Sequence, residues 1–498
     1  MWLLLPILVY SLIYLYVRHI YSYWRRKGFP SEATAFSLRY LKRFYHREFR
    51  HVQAICEAYH EGRDRLHGIY CFFRPVLLVR DPDLAGHILQ QSYGHFGEGK
   101  WEYVKSYRRF NLLEKLSPMF SKRRLSPMFN NAQRVAQHMM QHLLDREQQG
   151  RVELDLQQLL RTYAVNMMGN LVYGLDVNNF EQTDHILNSY VQHPSQYGVL
   201  QSFTLRGTPQ NSALSTRLLD LVKQNVELRE QSGIMRKDML QLMVKFRNGN
   251  DLSDGNDQWH IEHPFRTEDY KLMSIKHLAK VAEDLLHTGL NSIASTITLT
   301  LYEIAQQPLI VEKLQTEIKE LNFVDGQLTF EQLEQLKYME MCLKETLRKY
   351  PPVPIIERIC RKSYTLPGTK FSIGEGKTLM VPLLAIQRDS KYFVEPLKYK
   401  PLRFLHDKSQ DIRQRRSAFV GFGIGGAQCA AQNFAKMVIK LALVKLLQNY
   451  HLELDASAAL EVSHLPAPFI SSKGGLKVQL KAREILTQSN YLKSSKHI

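Results

Sequence analysis

Residues 421–429 read Gly-Phe-Gly-Ile-Gly-Gly-Ala-Gln-Cys, a glycine-dense turn that runs into a lone cysteine and then, from Ala430, into a helical pattern containing Phe434 and Ala435. This segment constrains the fold more than any other. Glycines without side chains permit tight turns and let a flat ligand lie close to the backbone. The start of a helix offers unpaired N–H groups and a positive dipole end, which stabilise a thiolate. Two architectures use such a turn. In the first, Gly421, Gly423 and Gly426 form a GxGxxG dinucleotide fingerprint, preceded by the short apolar run Phe419-Val420 and followed by a helix and a strand-like HLELD at 451–455. That fingerprint needs its acidic residue about 20 positions on. Glu453 and Asp455 fall well past that point, and the chain left after them is too short for the rest of a doubly wound sheet. In the second, Cys429 is a metal-binding thiolate, the axial ligand of a haem iron. A lone cysteine is more commonly a small buried residue, so this reading needs support from elsewhere in the chain.

Composition permits a large folded enzyme. With 498 residues, 44% of them apolar and 23% charged, the chain is neither disordered nor a disulfide scaffold. Cys56, Cys71, Cys342, Cys360 and Cys429 are odd in number, scattered and without a CxxC pair, which points to a reducing compartment and to no structural zinc. The excess of 66 Lys+Arg over 48 Asp+Glu gives a net charge of +18, suited to an anionic membrane surface, an acidic protein partner or nucleic acid. No RNP, helix-turn-helix or zinc-finger pattern supports nucleic acid, and the basic residues are spread along the chain.

Residues 1–17, MWLLLPILVYSLIYLYV, carry no charge, and the apolar character continues through Ile20, Tyr21, Tyr23 and Trp24. At 1.5 Å per residue such a helix reaches about 25 Å, enough to span a bilayer if Arg18 snorkels and the aromatic residues sit at the interface. A cleaved signal peptide would carry its basic residues before the apolar run, whereas Arg25, Arg26 and Lys27 follow it. Residues 1–24 are therefore expected to form an N-terminal transmembrane signal anchor, with residues 25–498 as one domain in the cytosol. No later apolar run is long enough to span again.

The rest of the chain reads as α+β, mainly α with small β-sheets. A β pattern at 69–80 is closed by Asp81-Pro82, and helical patterns cover 153–174, 214–247, 273–307 and 309–321. Residues 250–268 read as an exposed loop. After Pro351-Pro352 the texture turns to short strands and turns, until a helix returns at 430–449. One short duplication is visible, LSPMF at 116–120 and again at 125–129.

Support for the thiolate reading comes from two distant segments. Glu345-Thr346-Leu347-Arg348 places a carboxylate and a guanidinium at i,i+3 on one helix face, and Pro401-Leu402-Arg403-Phe404 supplies a second arginine. An ExxR alone is an ordinary ion pair. Other segments stand in order with these: Arg-Pro-x-Leu-Leu-Val-Arg-Asp-Pro at 74–82, Arg236-Lys237-Asp238, Leu301-Tyr302-Glu303, KETLRKYPP at 344–352 and AIQRDSKYFVEP at 385–396. Together with the cysteine loop the set resembles the microsomal branch of the cytochrome P450 superfamily, with a texture closest to insect members. The resemblance runs from about residue 30 to 485.

The resemblance implies a single large haem-thiolate domain binding haem b (iron protoporphyrin IX). Cys429 would be the metal ligand, with Phe422 near the sulfur, Gly423 and Gly425 in the loop around it, and Arg358 reaching a haem propionate. A thiolate ligand pushes electron density toward the iron and favours O–O cleavage. Glu345, Arg348 and Arg403 correspond to a structural ion-pair network that holds the cysteine loop. The family resemblance further implies a monooxygenase of the endoplasmic reticulum membrane with its catalytic domain in the cytosol. Such an enzyme takes electrons from an NADPH-dependent flavoprotein reductase, with cytochrome b5 as a further donor, and oxidises a lipophilic small molecule.

The chain departs from the family pattern in three segments. The arginine two residues before the cysteine is Ala427 and the glycine two residues after it is Ala431, while the W-x-x-x-R upstream of KLSP at 115–118 reads Arg109 and Leu113 at its ends. Two cationic propionate partners are thus absent at their matched places, with Arg108, Arg109 and Lys115 nearby as substitutes. In the central helix, A-G-x-(D/E)-T falls on Thr288-Gly289-Leu290-Asn291-Ser292. The family's acid and threonine deliver protons for oxygen activation; here the acid is Asn291, which cannot titrate, and the alcohol is Ser292. Three functions stay open on these residues: a monooxygenase with Ser292 and water as its relay, an isomerase or dehydratase needing no oxygen activation, and a non-catalytic haem or lipophile binder. Substrate contacts are expected from the loop before Leu112, from 195–215, from 285–289 and from 353–356.

Overall fold

A computed structural model of the protein describes residues 4–31, 51–71, 73–98, 115–150, 153–182, 185–192, 212–250, 252, 259–261, 272–321, 323, 327–405, 417–455, 462–463, 471–472 and 475–483. Arg108, Arg109, Leu112, Leu113, most of the 195–215 substrate region and most of the 250–268 loop lie outside the described residues.

One long helix, Ile275–Ala305, organises the rest. It begins at Ser274, whose side chain accepts the His277 N–H, and stops at Gln307-Pro308, because a residue before proline is pushed out of helical geometry. Residues 293–301 are buried on every side, so this stretch is a core helix rather than an amphipathic surface one. Around it pack Leu156–Leu171, Ser212–Ser232, the ExxR helix Lys337–Lys349 and the C-terminal helix Gln432–Asn449. Their facing apolar side chains make the larger of two main cores.

The second core lies on a five-stranded sheet. Its strands are β1 (Leu66–Cys71), β2 (Arg74–Val79), β3 (Phe96–Glu98), β4 (Ile356–Cys360) and β5 (Thr378–Val381), in the spatial order β1-β2-β5-β4-β3. β1 and β2 form an antiparallel hairpin with Leu66 opposite Val79. β2 runs parallel to β5, and β4 is antiparallel to β5 and β3, with Arg358 opposite Leu379 and Glu98. The fold is therefore mainly helical with small sheets, as expected. Residues 451–454 of HLELD lie in strand Tyr450–Leu454, antiparallel to Lys477–Ala482, and so do not form the parallel strand that a dinucleotide fold requires.

Two expected helices are shorter than their periodicity. The pattern at 214–247 is two helices, Ser212–Ser232 and Met239–Arg247. The break comes at Gly233, in left-handed backbone at φ +65°, and the second helix restarts on Asp238, which accepts the Gln241 N–H and pairs with buried Arg229 at 2.8 Å. The 153–174 pattern begins instead as strand Glu153–Asp155, and Asp155 then caps Leu156–Leu171.

At the N-terminus, helix Leu4–Tyr21 leaves Leu5, Ile7, Leu8 and Leu12 exposed. Among the described residues no helix is long and apolar enough to cross a membrane; Tyr10, Tyr14, Tyr16, Ser11, Arg18 and His19 dilute this one. Trp24, by contrast, is buried at 1% exposure. Its backbone N–H donates to the Tyr70 hydroxyl (3.1 Å), its indole N–H donates to the Ile69 carbonyl (3.0 Å), and its ring stands edge-on to Phe29. A Cβ at Gly68 would lie 2.4 Å from Trp24 Cγ, so the glycine is what admits the indole. Core packing therefore continues across the boundary expected between residues 24 and 25.

Candidate functional site

The cysteine loop is shaped by its glycines. Gly423 and Gly425 have φ of +81° and +65°, which side-chain-bearing residues rarely adopt. Gly425 is also pressed onto the end of helix Pro82–Gln90, where a Cβ would come within 2.5 Å of Gln90 Cα. Gly426 lies against the Tyr93 ring, a Cβ there falling 2.6 Å from Cδ1. The loop closes on itself through the Cys429 N–H to the Phe422 carbonyl (2.8 Å) and the Gln428 N–H to the Gly425 carbonyl (3.0 Å). The following helix starts at Gln432, with Ala431 at its N-cap, slightly later than the sequence pattern suggests.

Cys429 differs from the other cysteines in access. Cys71, Cys342 and Cys360 are buried, Cys56 is partly so, and Cys429 is exposed. Burial nevertheless pushes its thiol above the ordinary value, opposed by a hydrogen bond from the Ala431 backbone. Both facts hold if the sulfur lies at the floor of a concavity, open to a ligand but ringed by protein atoms. Burial thus outweighs the helix-start stabilisation expected from sequence. A metal ion removes the conflict, because a coordinated thiol is deprotonated outright. The surroundings fit haem: a glycine cradle a flat ring can approach, an exposed cysteine with a backbone donor to its thiol, and the half-buried Phe422 with Lys436 Nζ 5.5 Å over its ring.

Glu345 and Arg348 are fully buried and doubly bonded, Nε to Oε2 and Nη2 to Oε1, both at 2.8 Å. Arg403 Nε donates to the same carboxylate (3.0 Å), as does the Lys400 N–H (2.9 Å). Arg348 also donates to the carbonyls of Gln387 (2.7 Å) and Pro396 (2.8 Å). The structure thus joins the three residues named from sequence, and each buried charge has the partners that offset its desolvation. Arg358 is buried on β4, its Nη1 donating to the Glu357 carbonyl (2.8 Å). Its strand partner Glu98 lies a short way along the chain from Tyr93, which touches Gly426.

On the central helix, 284, 285, 287–289, 291 and 292 are only partly buried, whereas 293–301 are buried throughout. This stretch of the helix is therefore less enclosed than the one that follows it. Ser292 Oγ donates to the Thr288 (2.7 Å) and Gly289 (3.2 Å) carbonyls, so its proton is held by the helix and its lone pairs remain to accept. Asn291 Oδ1 accepts from Arg161 Nη1 at 2.8 Å, and Arg161 Nη2 donates to the Tyr190 carbonyl at 2.8 Å. Arg161 is buried, and burial lowers its pKa. About two turns back, Glu283 meets Lys280 (2.9 Å) and His287 (3.8 Å). Burial raises the Glu283 pKa, but hydrogen bonds from His287 and Lys280 prevail and lower it to about 2. Sequence reasoning missed Arg161, because nothing in its own helix marks it; its role exists only through a contact with a residue 130 positions away.

The glycine-cradled cysteine, the buried Glu-Arg-Arg network and the long central helix together fit a haem-binding architecture. The cytochrome P450 family model matches residues 42–478, and the chain belongs to the cytochrome P450 family, as a haem-dependent oxidoreductase of the monooxygenase type. It is 63% identical to probable cytochrome P450 310a1 of Drosophila melanogaster, across 98% of this chain and 99% of that one. It is 32% identical to cytochrome P450 6d1 of Musca domestica (95% and 98% covered) and 30% identical to probable cytochrome P450 6d4 of Drosophila melanogaster (97% and 98%).

Proposed function

We propose that this chain is a microsomal monooxygenase that oxidises a lipophilic small molecule with O2 and electrons from an NADPH-dependent flavoprotein reductase, with cytochrome b5 as a further donor. The observation that carries the reading is that Cys429, at the end of the glycine loop, is the exposed one of the five cysteines and has its backbone tied to Phe422. Cys429 would hold the haem iron, Phe422, Gly423 and Gly425 would frame the ring, and Arg358 would meet a propionate. Glu345, Arg348 and Arg403 would fix the loop. Bound haem supplies the redox centre for oxygen activation.

Asn291 and Ser292 are the catalytic stretch in this reading. Neither titrates, and the Ser292 hydroxyl proton is engaged by the Thr288 carbonyl, so Ser292 accepts a hydrogen bond from ordered water and the water carries the proton. The exposed apolar side chains of Leu4–Tyr21, followed by the exposed Arg25, Arg26 and Lys27, support attachment to the endoplasmic reticulum membrane with the catalytic domain in the cytosol. A second reading, an isomerase or dehydratase that needs no oxygen activation, is favoured by one observation: Asn291 is held by Arg161 in a form that cannot supply a proton. Oxygen uptake by the purified protein decides between them. Uptake that requires both NADPH and reductase supports the monooxygenase. No uptake, with rapid consumption of an organic hydroperoxide, supports the second reading.

A further inference from the structure

Gln387 ends the short helix Leu383–Gln387 and is fully buried between the ExxR helix and the start of the cysteine loop. Its Nε2 donates to the Leu347 (3.0 Å) and Arg348 (2.9 Å) carbonyls. These belong to the last turn of Lys337–Lys349, where carbonyls have no partner within the helix. Its Oε1 accepts the Val420 N–H at 2.9 Å, and its backbone carbonyl accepts from Arg348 Nη1 at 2.7 Å. The amide can point only one way here, because the flipped form would set its oxygen against two carbonyls and its NH2 against an N–H. Val420 is buried and immediately precedes Gly421, where a Cβ would lie 3.3 Å from Leu347 Cδ1. Helix end and loop start are therefore in contact, and this one side chain supplies the donors and the acceptor that the two backbones present across the gap.

We propose that Gln387 is the strut through which the Glu345, Arg348 and Arg403 network positions the cysteine loop, making it a positioning residue for Cys429. The proposal rests on the reading of Cys429 as the iron ligand. A side chain of similar length without polar groups leaves the Val420 N–H and two carbonyls unpaired in a buried place. A glutamate there keeps the acceptor but faces the carbonyls with a charge. A histidine retains one donor and one acceptor.

The test uses the full-length protein with haem, in the variants Gln387→Met, Gln387→Glu, Gln387→Asn and Gln387→His. The readout is the fraction of the ferrous carbon monoxide complex that carries the red-shifted Soret band of thiolate ligation. Haem content and thermal midpoint are measured separately. In the haem-bound Met, Glu and Asn variants that fraction, relative to the thiolate-free form, should fall about fivefold or more, the factor given by the loss of one ordinary buried hydrogen bond. Gln387→His should recover part of it. Should the Met and Glu variants yield no haem protein, Asn, which keeps both polar groups but is one methylene too short to span, decides. A thiolate fraction equal to wild type, with only the thermal midpoint lowered, overturns the proposal and leaves Gln387 a packing residue. Absence of the red-shifted band from the wild-type protein overturns the reading of Cys429 itself, and the proposal with it.

Discussion

Replacing Asn291 by Asp turns the neutral acceptor on Arg161 into a carboxylate at about the same 2.8 Å. A neutral hydrogen bond contributes about 0.5–1.5 kcal/mol and one to a charged group about 1.5–3 kcal/mol. Position 291 is only partly buried, so the new carboxylate keeps some solvent and its desolvation cost is moderate. A net coupling to Arg161 of about 1–2 kcal/mol is expected. The guanidinium holds the Asp carboxyl below its ordinary range, so the sign with pH follows. The added stability is full above the unfolded value of about 3.9 and is lost as pH falls through the lower folded value. The assay is a double-mutant cycle by denaturant unfolding on wild type, Asn291→Asp, Arg161→Gln and the double variant, at neutral and acid pH. A coupling near zero at neutral pH, or one that grows in acid, refutes the placement of Asn291 on Arg161. Held ionised by Arg161 at neutral pH, the new carboxylate can accept a proton from ordered water and pass it on, a relay the amide cannot provide, so product formed per NADPH consumed should rise with the product unchanged.

Arg348→Ala leaves the fully buried Glu345 with Arg403 as its remaining guanidinium partner, a loss of about 3–5 kcal/mol from a total stability of about 5–15 kcal/mol. Aggregated, haem-free protein is expected, and a monomer with full haem content on gel filtration would contradict it. Deleting residues 2–20 should leave the catalytic domain intact, whereas deleting 2–24 removes the buried Trp24 and should cost about 3–5 kcal/mol; equal thermal midpoints for the two truncations would show that Trp24 is not part of the core. Gly425→Ala forces a side chain into φ +65° and against the Gln90 backbone, costing at least about 1–3 kcal/mol and lowering haem content. Gly374→Ala, where a Cβ meets nothing within 4 Å, is the neutral control.

Long helices were legible because burial on one face repeats locally: the patterns at 273–307 and 309–321 match Ile275–Ala305 and Pro308–Lys319. Their interruptions were not. Gly233 and Asp238 break one pattern through a left-handed turn and a new cap, and Glu153–Asp155 becomes a strand because a distant strand, Lys477–Ala482, pairs with it. The cysteine loop and the ExxR pair were readable as short local patterns. Arg161 was not, since its partner lies 130 residues away and nothing in its own segment marks it; Gln387 stands within the noted segment at 385–396, but its role depends on partners up to 40 residues away. Trp24 reads from sequence as part of the anchor, because an apolar residue bound for a bilayer and one bound for a core look alike there. Only the contacts with Gly68, Tyr70 and Phe29 separate them.

The most direct measurement is the absorption spectrum of the reduced, carbon monoxide-bound protein in wild type and in five single Cys→Ser variants. A strongly red-shifted Soret band, characteristic of thiolate ligation, should be present in wild type and in the variants at Cys56, Cys71, Cys342 and Cys360, and absent in Cys429→Ser. The same band persisting unchanged in Cys429→Ser contradicts the assignment of the iron to this cysteine.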